Sequence, residues 1–190
     1  MHDIEPYWKW RDKYKAEEDK YSPFYEREYS EFEFSTKVYN YYLHPQWDEI
    51  GSPTLFIKIL FADYDDGYAI IELIGEWNDI LHSDIMFLKR DIIDMLMHNG
   101  IYRFVLIGEN ILNFHADETD YYEEWMEELS DDAGWVALIN FQEHVLHEMR
   151  QEDIHSFFHI NDLLQDIKWR QLAPDKLIEL IETLFLRSLE

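Results

Sequence analysis

From Phe32 to the end of the chain, segments with a two-residue hydrophobic period alternate with segments of helical period. This alternation limits the available folds more than any other feature. Phe32, Phe34, Thr36 and Val38 alternate with Glu33, Ser35 and Lys37, which predicts a strand. Residues 45–53 read as a loop through Pro45, Gly51, Ser52 and Pro53. Residues 55–62 and 68–75 are apolar runs flanking Asp63, Tyr64, Asp65, Asp66 and Gly67, and Asp-Gly between such runs predicts a hairpin. Ser83 opens a helix that places Ile85, Leu88, Ile92, Met95 and Leu96 on one face, with Asn99-Gly100 as its stop. Residues 102–107 then predict a strand, and Tyr122, Trp125, Met126 and Leu129 mark a helix face. Residues 135–139 follow as a strand, 141–150 as a helix and 157–160 as a strand. Asn161 caps a helix to about residue 171, and Pro174 opens a last amphipathic helix. Helices of this length between strands require crossover connections, so the predicted class is α/β, a mixed sheet covered by helices.

The 190 residues suit one compact domain. Residues 1–50 differ in texture from the remainder: aromatics and charges interleave, with few aliphatic side chains before Val38. Tyr7, Trp10, Arg11 and Tyr14 have the spacing of one helical face. This segment is expected to be an aromatic-rich N-terminal extension packed on a core formed by residues 51–190.

The order of elements resembles the STAS fold of anti-sigma-factor antagonists. The stretch from Ser83 to Gly100 leading into residues 102–107, the stretch from Gly134 to Arg150, and the sequence Phe157-Phe158-His159-Ile160-Asn161-Asp162-Leu163-Leu164 carry the resemblance. It spans about residues 55–171 and leaves the aromatic segment and the last helix outside it. It implies a STAS-like order, β-β-α-β-α-β-α-β-α, and a bacterial regulatory domain that binds another protein. Regulatory members of that family carry a phosphorylated serine or threonine in an Asp-Ser-Ser-Gly-like turn after the central strand. The matching stretch here, Phe114-His115-Ala116-Asp117-Glu118-Thr119-Asp120, has neither serine nor glycine. A phosphate on Thr119 would meet three neighbouring acids, so the phospho-switch does not follow from the resemblance.

Sixteen Lys and Arg against 41 Asp and Glu give a formal charge of −25. Such a field repels nucleic acid and anionic lipid and favours a partner with a basic surface. Nine acids and no base lie between Asp117 and Asp132. His115, Asp117, Thr119, Glu123, Glu124, Glu127 and Glu128 are therefore the candidate partner contacts. Self-association stays open. The absence of cysteine removes disulfides, thiolate nucleophiles and Cys-type zinc sites. Asp3 and Glu5 stand where a leader needs basic residues, and no apolar run has the length of a membrane helix, so a cytoplasmic protein is expected.

Glu143-His144-Val145-Leu146-His147-Glu148 is the most suggestive local pattern, followed by His155 and His159. His144, His147 and Glu148 share one side of a helix and are candidate metal ligands. The histidines are three apart, whereas zincin helices need them four apart with an intervening Glu. No Gly-x-Ser-x-Gly elbow, Gly-x-Gly-x-x-Gly or phosphate loop occurs. The expected function is a non-enzymatic regulatory or scaffolding domain without a cofactor. The alternative is a small-ligand-binding or metal-dependent protein centred on His115 or on His144, His147 and His159.

Overall fold

The computed structural model describes residues 4–187. Asp3, part of the leader reading, lies outside them. Strand β1 (Lys37–Val38) pairs with β2 (Tyr41–Tyr42) in a two-residue ribbon. The main sheet has five strands in the order β3-β4-β5-β6-β7. β3 (Asp48–Glu49), β4 (Leu55–Asp63) and β5 (Tyr68–Asn78) pair antiparallel. β6 (Arg103–His115) and β7 (Trp135–Ile139) extend the sheet in parallel. The fold is α/β with a mixed sheet, as the alternation predicts.

Two apolar layers account for the largely hydrophobic texture of β5 and of the first half of β6, since a strand covered on both faces has no polar side. Ile71, Leu73, Phe104, Leu106, Val136 and Leu138 face one layer of helices. That layer comprises α1 (Asp79–His82), α2 (Asp84–Phe87), α3 (Asp94–His98), α4 (Asp120–Ser130) and α5 (Glu143–Gln151). Tyr68, Ile70, Val105, Ile107, Ala137 and Ile139 face the second layer, made of α6 (Pro174–Arg187) and Trp10 from the N-terminal segment. Gly75 sits at φ +111°, and a Cβ there would stand 1.9 Å from the Thr54 carbonyl oxygen, so only glycine lets these two segments approach this closely.

Several expected elements differ. Residues 32–36 form no strand: Phe32 is 86% exposed, and the Ser30 hydroxyl accepts the backbone N–H groups of Phe32 and Glu33 in a local turn. Only Lys37–Val38 of that run pairs. Trp8 to Tyr14 make turns, not a helix, because Tyr7 and Trp10 instead pack edge-on against Trp169 at 4.9 and 5.7 Å. The helix after Ser83 contains a π-helical turn, Leu88–Ile93. The strand at 157–160 contracts to a single bridge between Ala137 and His159. The helix from Asn161 becomes two 3₁₀ turns, Asp162–Leu164 and Trp169–Gln171. Between them the Asn140 side chain takes both the N–H and the carbonyl of Ile167, at 3.0 and 2.8 Å, which removes those groups from any helical ladder.

Candidate functional site

In open sheets with parallel strands, binding sites gather at the strands' carboxyl ends. Here β5 and β6 end side by side, Asn78 opposite His115. Glu76, one turn of the pleat earlier, is 9% exposed. One of its carboxylate oxygens accepts the Tyr39 hydroxyl, and the other lies 3.6 Å from His115 Nε2 and 3.4 Å from Asn78 Nδ2. Tyr39 occupies the turn between β1 and β2 at φ +54°, so the small ribbon is pinned over the end of β5. The bond to Glu76 holds the Tyr39 phenol above its ordinary pKa.

Beyond Glu76 the chain turns sharply. The Asn78 side chain caps α1 by accepting the Leu81 N–H at 3.0 Å, and Ser83, at φ +53°, ends that single helical turn. Asp79 points inward and accepts the Tyr122 hydroxyl at 2.6 Å, the Ile85 N–H at 2.8 Å and the Trp77 indole N–H at 3.1 Å. Burial pushes its carboxyl up to about 6 despite these donors. Asp84 accepts the Asn78 N–H at 2.7 Å and is likewise raised by burial. With Asp79 turned in, Ile80 and Leu81 face solvent, 59% and 72% exposed. The Asp79–Tyr122 bond ties the helical turn that carries them to α4.

On α4, Tyr122, Trp125 and Leu129 are buried. Asp120, Glu123, Glu127 and the C-capping Asp131 fall on the opposite stripe and are exposed. Glu124 and Glu128 stand to one side and are engaged: Glu124 receives both Arg90 nitrogens at 2.6 and 2.7 Å, and Glu128 receives buried Lys89 at 2.7 Å. Lys89 lies in the π turn, where the widened backbone leads it to Asp94 as well. Thr119 is the residue before α4, and its hydroxyl makes no capping bond. Asp117 and Glu118 are exposed beside it. Of the residues singled out by sequence, His115, Asp117, Thr119 and Glu123 lie along the stretch from the end of β6 into the first turn of α4, while Glu124 and Glu128 are bound within the chain.

His144, His147 and Glu148 behave differently. β7 stops at Ile139, so the second half of β6 would present a bare edge. His144 Nε2 lies 2.7 Å from the Leu112 carbonyl oxygen, Glu148 accepts the Phe114 N–H at 3.0 Å, and Gln142 Nε2 reaches the carbonyls of Glu109 and Ile111 at 3.3 and 3.2 Å. Residues four apart on a helix rise about 6 Å, close to the roughly 6.7 Å between alternate residues of a strand. The spacing of His144 and Glu148 therefore matches that of Leu112 and Phe114. His147 is exposed. Among the described residues no three His, Cys, Asp or Glu side chains form a set that could hold a metal ion. His159 packs flat on Phe185 at 4.0 Å, and burial lowers its pKa.

Sequence reasoning missed Tyr39, Glu76, Asp79 and Asp84. The one signal was polar: Glu76, Asn78 and Asp79 cluster at the end of a run whose earlier part is broken only by Glu72. It also missed Glu72, Glu109 and Arg170 under the second layer. Glu109 accepts the Asn140 amide at 3.1 Å, the Trp169 indole at 2.9 Å and Arg170 at 2.7 Å, and these donors hold its carboxyl low against the effect of burial. Glu72 accepts the Tyr7 N–H at 2.9 Å, and burial pushes it up to about 7.

No family model matches the sequence, and no curated protein matches it. Among solved structures the fold is similar to that of the anti-sigma factor antagonist SpoIIAA in its unphosphorylated form, with 12% identity, 67% of this chain and 96% of that one covered, and a TM-score of 0.48. It is similar also to the Bacillus cell fate determinant SpoIIAA in the phosphorylated form, at 11% identity, 66% and 98% coverage and a TM-score of 0.42. A third likeness is the protein TM1081, at 16% identity, 67% and 89% coverage and a TM-score of 0.35. SpoIIAA is an anti-sigma-factor antagonist, the class that the sequence resemblance names. No helix among the described residues is long and apolar enough to cross a membrane.

Proposed function

We propose that this chain is a non-enzymatic regulatory or scaffolding domain that binds a protein with a basic surface at the carboxyl end of its parallel strands. The observation that carries this reading is the exposure of two aliphatic side chains, Ile80 and Leu81, on a turn that Asp79 ties through Tyr122 to a helix whose outer stripe is acidic. Exposed apolar centres ringed by charge suit protein contacts, where the apolar part supplies affinity and the charge supplies orientation and rate. Buried Asp79, bonded to Tyr122, fixes the geometry of both halves. The same carboxyl end offers a small molecule little, since Glu76 and Asp79 are taken by neighbouring donors.

The test is retention of partners from native extract on immobilised protein. Wild type should retain a basic protein at low salt and release it at about 0.5 M salt, where charges more than about 4 Å apart are screened. The double variants I80S/L81S and E123K/E127K should each lose it. Retention that survives both pairs of substitutions and high salt would sink the reading.

A further inference from the structure

Glu72 is an acid on the sheet face under the second layer, next to Ile107 of β6 in the strand register. The direct supports for its charge come from segments that close over this face, not from the sheet. They are the Tyr7 N–H at 2.9 Å, from the N-terminal segment, and Arg170 at 3.6 Å, from the turn before α6. Arg170 is shared, since it also lies 2.7 Å from Glu109, whose negative charge works against that of Glu72. Lys58, the register partner of Glu72 on β4, turns its ammonium to Asp48 at 3.3 Å, and Arg11 of the N-terminal segment faces Glu5 at 3.4 Å. α6 brings apolar side chains to this layer, Leu177, Ile178, Ile181 and Leu184. The cover itself is lightly held. Residues 4–36 form no helix or main-sheet strand, so no backbone ladder ties them to the sheet. Near Glu72 the segment is fastened by the Tyr7 hydroxyl on the Arg170 carbonyl at 2.8 Å, by Tyr7 and Trp10 against Trp169, and by the Ile4 carbonyl, which accepts the Trp47 indole N–H at 2.8 Å.

A buried carboxyl in such a place is tolerated while protonated, whereas its ionised form lacks the water that would solvate it. Raising half-buried Tyr7 is the smallest movement that admits water, because it opens no strand pair. We propose that Glu72 is a proton-controlled fastening for residues 4–14: with the carboxyl protonated the segment stays down on the sheet, and on ionisation the segment lifts so that water reaches the carboxylate. The proton passes to solvent, and the two states are arrangements of one chain. Docked, the group is raised by burial to about 7; lifted into water, it returns toward 4.5. Tighter proton binding in the docked state means that docking weakens as pH rises. This inference does not rest on the partner-binding reading, because Glu72 lies under the second layer and not at the end of β5.

Hydrogen exchange of the full chain tests this, with each amide rate divided by the unstructured-chain rate at the same pH. Protection of the Tyr7 amide should fall about tenfold between pH 6 and 8, the ratio that linkage gives for a group at about 7 docked and 4.5 lifted. At every pH it should also be lower than that of Leu106, in the middle of the sheet, because lifting leaves the strands paired. In E72Q, which keeps an acceptor for the Tyr7 N–H and cannot ionise, protection of Tyr7 should not change with pH. A wild-type Tyr7 amide whose protection is constant from pH 6 to 8 overturns the proposal. So does one as slow as Leu106, which means that the segment leaves only when the whole chain unfolds; neither result needs a variant. A fall that persists in E72Q overturns it as well.

Discussion

Glu72 shows how one buried side chain can set a pH dependence. It stands on β5 under the second layer, 1% exposed, with only the Tyr7 N–H at 2.9 Å and Arg170 at 3.6 Å to support its charge. Desolvation dominates these contacts and raises its carboxyl from 4.5 to about 7. A folded-state value above the unfolded one means that the native state binds the proton more tightly. The stability this confers is complete below about pH 4.5 and is lost as pH rises through about 7. Asp79 acts in the same sense over a lower window, from 3.8 to about 6. Between about pH 6 and 8 Glu72 by itself removes roughly 1 kcal/mol of stability, while His159 and His44, whose pKa burial lowers from 6.5, act in the opposite sense. Urea unfolding at pH 6, 7 and 8 measures the loss. In Glu72→Gln, which keeps an acceptor for Tyr7 but cannot ionise, that loss should disappear. A slope equal to that of wild type would assign the titration to another group.

At the scale of elements, sequence succeeded where a segment's own periodicity decides its structure. The 55–75 hairpin, the strand at 135–139, the helix face of Tyr122, Trp125 and Leu129 and the final helix from Pro174 all lie where their patterns place them. It failed where a distant partner decides. β6 continues to His115 through Gly108, Glu109 and Asn110, residues that locally read as a break, because the second half of β5 supplies a partner. The π turn at Leu88–Ile93 has no periodic signature that separates it from an ordinary helix. The metal-like motif on α5 was visible as a pattern, but its contacts were not, since the edge it covers is more than thirty residues away. That cover has a measurable consequence. Replacing Glu148 with Ala removes the acceptor of a backbone N–H in a partly buried position, which costs about 1–3 kcal/mol locally. The Phe114 amide should then exchange its hydrogen at least about tenfold faster, while amides in the first half of β6, paired with β7, stay protected. Unchanged exchange at Phe114 would mean that the ladder does not close the edge.

For the molecule as a whole, the charge of −25 is the dominant fact, and the structure shows how unevenly it is compensated. Several bases are committed in pairs: Lys89 and Arg90 to Asp94, Glu128 and Glu124; Arg170 to Glu109; Arg103 to Glu182. The outer stripe of α4 receives none of them, so repulsion among Asp120, Glu123, Glu127 and Asp131 is relieved only by solvent and salt. Unpaired like charges held on a compact body destabilise it, and mobile ions weaken that repulsion over a Debye length of about 10 Å at 0.1 M. Raising the salt from about 0.02 to 0.2 M should therefore raise Tm, and by similar amounts in chloride and gluconate. The double variant E123K/E127K places two bases within the acidic stripe and changes the net charge by four, from −25 to about −21. Its Tm at low salt should exceed that of wild type, and the gap should close as salt is added. A gap that persists at high salt would trace the gain to contacts made by the new lysines. No gap at low salt would mean that the stripe is already relieved, and would take from α4 the excess negative potential on which its attraction for a basic partner depends.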